Sequence, residues 1–227
     1  MLCLNVEAPF AVFRSFFTGH FRPTAGFMTF SAAYGLLLNI AGIEMRKKDE
    51  KSGTTLIKHD SLPSLSLAIG ALELPVLQSL LQQLHNYPVG SSGKEHAPQT
   101  KGTKYNIKPV QRSFLYRFKA CICVKGDRDF ENRIYMGING EIPRLYGLPF
   151  LGDNNFLIDK LEVVEKQKKA LWFEIIDGED DKLRENATRM TITIDRTDIS
   201  KTKSALFAPV LEKTTEIPEK AWVKVSY

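Results

Sequence analysis

The sequence predicts an α+β fold, and three observations carry that expectation. Between Leu2 and Arg14, the residues Leu2, Leu4, Val6, Ala8, Phe10 and Val12 fall on one parity and Asn5 and Glu7 on the other. That two-residue period belongs to a half-buried strand. Phe30, Ala33, Tyr34, Leu37, Leu38 and Ala41 recur instead at helical spacing, giving one apolar face of a helix over about 31–40. Downstream, strand-like runs at 62–74, 104–125, 156–165, 171–177 and 190–196 outnumber helical ones.

Taken in order, the first strand carries Pro9, which cannot donate to a ladder, so the strand is expected to bend, bulge or lie on an edge there. Thr29 and Ser31 are N-cap candidates for the helix, and Gly42 suits a left-handed stop. Gly35 in mid-helix costs about 1 kcal/mol against alanine, which a close backbone or ligand approach would justify. Residues 45–60 read as a charged loop with a possible short strand. Residues 76–85 (VLQSLLQQLH) are ambiguous, because their propensity and apolar spacing both favour helix. Residues 86–103 hold three glycines, two prolines and almost no aliphatic side chain, the composition of a flexible loop. From 104 the chain is strand-like, with Val110, Phe114, Tyr116, Phe118, Ala120, Ile122 and Val124 on one parity. A helix follows over 127–137, capped by Asp127 or Asp129 and stopped at Gly137 or Gly140. The stretch GLPFLGDNN (147–155) is turn-rich, and an acidic loop separates the last two of the strands named above.

A chain of 227 residues with 43% apolar and 25% charged side chains can bury a substantial core without covalent staples. No apolar run reaches the length of a membrane span, and the N-terminus lacks the features of a signal peptide, so a cytoplasmic protein is expected. Cys3, Cys121 and Cys123 read as reduced, buried strand residues. The net charge of +5 is mild but uneven: residues 85–125 hold eight lysines and arginines and a single acid, Glu95. A local basic segment is the footprint expected of a polyanion site. The histidines and cysteines show no metal-ligand spacing. The sequence has neither a phosphate loop of the G-x-x-x-x-G-K-[ST] type nor a nucleophile elbow. Neither a metal nor a cofactor is therefore expected.

Several segments, in order, resemble a known family. PFAVFR, a connector, and a helix of small residues with Tyr-Gly-Leu-Leu ending in IAGIE are similar to the N-terminal signature of the CRISPR-associated Cas five family (DevS-type, RAMP superfamily). LHNYP, a loop, RSFLYRFKACICV and FENRIYMGINGEIPRLYGLPFLGDNNF follow in that family's order, so the resemblance covers roughly residues 2–165. It implies a ferredoxin-like, RRM-like core from residues 1–75 and 118–165. A protruding β-hairpin thumb would occupy 76–117, with a flexible tip at about 87–103, and a small β-rich region 166–227. The family's helical-looking 76–86 stretch is a thumb strand, so a strand is expected here too. The implied role is a non-catalytic subunit of a type I Cascade effector that caps the 5′ handle of the guide RNA (crRNA). Its implied partners are the large subunit (Cas eight family), the first backbone subunit (Cas seven family) and, through the complex, target DNA, with no membrane involved. One branch of the family cleaves precursor RNA without metal, which requires a general base and a cation near the 2′-hydroxyl. Tyr34, Lys58 with His59, and His85 with Tyr87 are the groups that could supply them. A generic RRM-like single-strand binder is the reading from outside the family, although the chain lacks a convincing RNP1 motif.

The expected RNA contacts follow from residue chemistry. Arg14 ends the first strand on an apolar parity, where a guanidinium leaving the core can meet phosphate. Arg22 and His20 lie among Phe17, Phe21 and Phe27; basic groups among aromatics suit splayed nucleotides, but His20 is expected to be only a solvated rim residue. Thr29 and Ser31 open a helix whose dipole favours an anion, as well as capping it. Lys108, Arg112 and Tyr116, spaced by four along a strand, share one face and would follow the backbone, with Lys104 adding diffuse charge.

Overall fold

The computed structural model describes residues 1–15, 21–48, 55–57, 62–85, 107–143, 147–153, 155–176, 184–195 and 198–227. Its centre is a strand–helix–strand–strand–helix–strand unit. The unit runs through β1 (Leu2–Ala11), α1 (Phe30–Ile40), β5 (Leu65–Glu73), β7 (Ile107–Lys125), α2 (Arg128–Ile138) and β8 (Lys160–Val163). In the sheet these strands lie in the order β5-β7-β1-β8, each antiparallel to the next. That is the ferredoxin-like arrangement, and the fold is α+β as expected. The short strands β2 (Phe21–Arg22), β3 (Arg46–Lys48) and β4 (Thr55–Ile57) and the longer β6 (Val76–His85) fall within this unit; β3 and β4 pair as a separate hairpin.

After β8, the chain returns to the same sheet. The strands β9 (Leu171–Ile175), β10 (Thr188–Thr193) and β11 (Lys203–Pro209) extend it in the order β5-β9-β11-β10. The outer edge of β5 is shared: β12 (Val223–Val225) pairs with its first residues and β9 with Gly70 and Ala71. Gly70 allows this, since a Cβ there would come within 2.9 Å of both Ala170 and Trp172. The strand β11 carries no strong alternation, which is why periodicity did not reveal it.

The parity of β1 sets two cores. Leu2, Leu4, Val6 and Ala8 face the helices with Phe27, Phe30, Leu37, Phe118 and Ile122. Cys3 faces the other side with Cys121, Cys123, Trp172 and Ala221. Burial of this many aliphatic and aromatic side chains, at roughly 1.5–3 kcal/mol each relative to exposure, dominates stability. Helix α1 starts one residue before the expected span, capped by Thr29, whose hydroxyl accepts from the Ala32 N–H, and stops at Gly42 with φ 67°. Helix α2 is capped by Asp127.

Three expectations need correction. Strand β1 ends at Ala11, not Arg14; β8 leaves its outer edge after Glu7, so Pro9 sits where no donor is needed on that side. Cys3 and Cys123 are not reduced but form a disulfide. They are direct cross-strand partners in the β1–β7 ladder with Cα atoms 4.1 Å apart, a juxtaposition that parity alone does not reveal. Cys121 is a free, buried thiol, pushed up to about 12 mainly by burial. Gly35 meets no approaching backbone: the nearest atom to an added Cβ is Met45 Sδ at 4.0 Å, and the glycine lines an apolar cavity of about 240 Å³ between α1 and residues 149–152.

The ambiguous 76–85 stretch is a strand. Every residue of β6 pairs with β7, from Val76↔Tyr116 to His85↔Ile107. Pairing overrides helix propensity here because β7 continues for 19 residues, and its distal half offers an open edge. The hairpin tip expected at 87–103 lies outside the described residues.

Candidate nucleic-acid interface

The base of the β6–β7 hairpin is where the candidate residues meet. Strand β7 borders β1 as far as Leu115↔Ala11. Beyond that point β1 departs, and β2 takes over the vacated edge, pairing parallel to β7 with Arg22 beside Arg112. Arg14 is held by an isolated bridge to Thr24. That turn is tied by the Ala25 N–H to the Phe13 carbonyl at 2.7 Å and by the Phe13 N–H to Thr24 Oγ1 at 2.9 Å. Sequence residues 14, 22 and 112 thus converge. Arg14, Arg22, Arg112, Val12 and Pro23 line one small pocket of about 150 Å³.

Arg112 is not the solvated thumb cation its spacing suggests. It lies on the apolar parity of β7 and is only 8% exposed. Its guanidinium is bonded to the Asp153 carboxylate, donates to Gln82 Oε1 at 3.2 Å and lies 5.4 Å from the centre of the Phe156 ring. A buried arginine needs such partners, because an unpaired buried charge is strongly destabilising. Asp153 comes from the 150–157 turn. That turn is bridged by Phe150 and Leu157 and docked just past the end of β1, where the Val12 N–H donates to the Leu151 carbonyl at 3.0 Å. Burial pushes the Asp153 carboxyl up, but the Asn155 N–H and the Arg112 guanidinium, with Arg14 nearby, outweigh it and hold it below its ordinary value.

This gives a pH prediction. A carboxyl depressed in the folded state contributes its full stability above the ordinary carboxylate range of about 4 and loses it as pH falls through the lower folded value. The melting temperature of the wild type should therefore drop more steeply below about pH 4 than that of Asp153→Asn. Parallel acid titrations of the two proteins check this.

The other candidates fall elsewhere. Thr29 is 4% exposed; its hydroxyl caps the helix and lies 3.2 Å from that of Ser31. Gly26, just before it, donates to Thr188 Oγ1 of β10. Neither Thr29 nor Ser31 lines the arginine pocket. Tyr116 does share the face of Arg112, is 42% exposed, and packs near Phe10 with ring centres 5.9 Å apart. The Lys108 backbone lies in β7 opposite Leu84; Lys104, His20, Lys58, His59 and Tyr87 are outside the described residues. Tyr34 is buried, donates to the Pro63 carbonyl at 2.8 Å, and is pushed upward in pKa first by burial and then by Tyr227. Its hydroxyl is thus already engaged within the core. Asp153 and Phe156 went unrecognised in the sequence, where a turn-rich GLPFLGDNNF was the only signal.

Fold and pocket together define a ferredoxin-like α+β protein with an arginine-lined pocket at the root of a β-hairpin. The family model described as "CRISPR-associated protein (Cas_Cas5)" matches residues 1–200, and the chain belongs to that family. Among solved structures, a chain of a "CRISPR RNA-guided surveillance complex" superposes with a TM-score of 0.59 at 14% identity, over 94% of this chain and 90% of that one. A chain from "Crystal structure of Cas protein" aligns with a TM-score of 0.45 at 13% identity, over 96% and 97% of the two chains. No curated protein sequence matches the chain. No described helix is long and apolar enough to cross a membrane, and no group of potential metal ligands occurs among the described residues.

Proposed function

We propose that this chain is a non-catalytic, crRNA-binding subunit of a type I Cascade-like effector and caps the 5′ handle of the guide RNA. The observation that carries this reading is the convergence of Arg14, Arg22 and Arg112 at the root of the hairpin in a member of this family. A phosphate in that pocket would accept forked hydrogen bonds from the guanidiniums beside the Arg112–Asp153 pair. The solved structure of the same fold is part of an RNA-guided complex, which supports the assembly reading.

Partners are proposed on the hairpin's other features. β6 has β7 as its only described neighbour in the sheet, so one edge is unpaired, and Leu77 and Leu81 are 62% and 77% exposed on the face opposite to Arg112. An apolar edge strand calls for cover; the backbone subunit is proposed to supply it, with the large subunit binding elsewhere on the chain.

Co-expression with a CRISPR array and the neighbouring subunits tests this. The expected result is a complex whose RNA has one fixed 5′ end, together with intact repeat RNA after incubation in EDTA. Leu81→Asp should reduce recovery of the partner subunits while leaving RNA binding by the chain unchanged. Cleavage in EDTA that disappears in His59→Ala or His85→Ala would establish the endoribonuclease instead. Random RNA fragments without partners would establish a generic single-strand binder.

A further inference from the structure

The helix-side face of the sheet changes character within one register step. The cross-strand pair Ala8↔Phe118 is 6% and 0% exposed, sealed by Phe13 and Phe27, whose rings lie 5.4 and 5.1 Å from that of Phe118. The next pair on the same face, Phe10↔Tyr116, is 38% and 42% exposed. Val76, opposite Tyr116, is 49% exposed, and Leu80, opposite Arg112, 42%. Aromatic surface is therefore open to solvent where the covering layer ends, and the arrangement is built from behind. Phe156 lies 6.0 Å from Phe10 and 6.5 Å from Phe114, and its other neighbour is the Arg112 guanidinium at 5.4 Å. Two ring contacts thus connect the arginine pocket to the exposed rings.

We propose that Phe10 and Tyr116 form a stacking platform for one splayed base of single-stranded RNA, whose neighbouring phosphate occupies the pocket of Arg14, Arg22 and Arg112. The proposal rests on the RNA-binding reading above and specifies how that site holds a nucleotide. Charge selects the occupant. A protein segment covering an apolar face would meet Arg14 and Arg22 beside the Arg112–Asp153 pair at its border, whereas a nucleotide presents a flat apolar base beside an anion. The two rings are tilted by 36°, so a base lies flat on one and meets the other at an angle rather than being clamped between them. Stacking is indifferent to base identity, so the platform tolerates any base and recognises a splayed strand.

The test measures binding of the full chain to a short single-stranded ribo-oligonucleotide of mixed sequence and to an abasic version of it. Tyr116→Leu keeps the apolar bulk but not the ring. It should lower affinity for the base-bearing oligonucleotide roughly tenfold, leave the abasic one unchanged, and leave the salt dependence unchanged; Tyr116→Phe should restore binding. Arg14→Ala should weaken both oligonucleotides. If Tyr116→Leu binds both like the wild type while Arg14→Ala weakens both, the platform is overturned and the RNA reading survives. If neither change has an effect, the RNA reading fails and the platform with it. If Tyr116→Leu spares RNA binding but loses partner subunits in co-expression, the face is a protein-docking surface and the proposal is wrong. Should Tyr116→Leu fail to fold, 2-aminopurine placed at successive positions of the oligonucleotide reads the same claim on the wild type. One strongly quenched position supports the platform, and uniform fluorescence contradicts it.

Discussion

Arg14→Ala combined with Arg22→Ala should nearly abolish RNA binding without unfolding the protein. Arg14 is exposed and Arg22 half-buried, and the turn that carries Arg14 is held by backbone bonds and by Thr24. Each arginine is proposed to donate a charge-assisted hydrogen bond to phosphate, and losing one such bond costs roughly tenfold in affinity. Counterion release supplies an independent signature. For single strands the slope of log affinity against log salt changes by about 0.7 per phosphate contact, so the double variant should be shallower by roughly 1.4. Fluorescence anisotropy across a salt series measures both quantities. Arg112 is a poor choice for this experiment: it is buried against Asp153, and its removal would leave that carboxylate without its main partner.

Gly152→Val should be the most damaging single change to the site. Gly152 has φ 79°, and a Cβ there would lie 1.5 Å from the Val12 carbonyl oxygen and 2.7 Å from the Val12 carbonyl carbon. Both atoms are backbone, so no rotamer change can relieve the clash. A side chain at that position also meets the left-handed penalty of about 1–2 kcal/mol, and overpacking adds about 1–3 kcal/mol. Together these predict a loss of roughly 3 kcal/mol in urea unfolding, or detachment of the 150–157 turn from β1. Detachment would strip Asp153 from Arg112 and remove Phe156 from behind Phe10. Gly140→Ala is the matched control: its φ is 78°, but a Cβ there meets nothing within 4 Å, so only the smaller backbone penalty applies. Equal stability of the two variants would show that the turn does not dock as described.

Much of the core was legible because its periods are strict. The alternation of β1, the helical spacing of α1 with Thr29 and Gly42 at its ends, and the cap of α2 are local signals, and the structure uses each one locally. The 76–85 stretch shows the limit: its apolar spacing reads as helix, and only the family resemblance indicated the strand that β7 imposes. The site was half legible. Arg14, Arg22 and Tyr116 were singled out from charge and parity as candidates, and the structure brings the two arginines into one pocket. Arg112 was found for the wrong reason. Its partner Asp153 lies 41 residues away, and no local pattern marks a carboxylate that will neutralise a distant arginine. The same applies to the Cys3–Cys123 bond, which depends on the register of two strands 120 residues apart.

RNA is proposed to cross the root of the hairpin on the face shared by Phe10, Arg22, Arg112 and Tyr116. Ultraviolet crosslinking of the assembled ribonucleoprotein, followed by mass spectrometry of the crosslinked peptides, tests it most directly. Crosslinks should fall on peptides containing Phe10, Phe21 and Tyr116 and join them to nucleotides at the 5′ end of the RNA. Crosslinks confined to the β9, β10 and β11 strands, or to nucleotides far from the 5′ end, would contradict it.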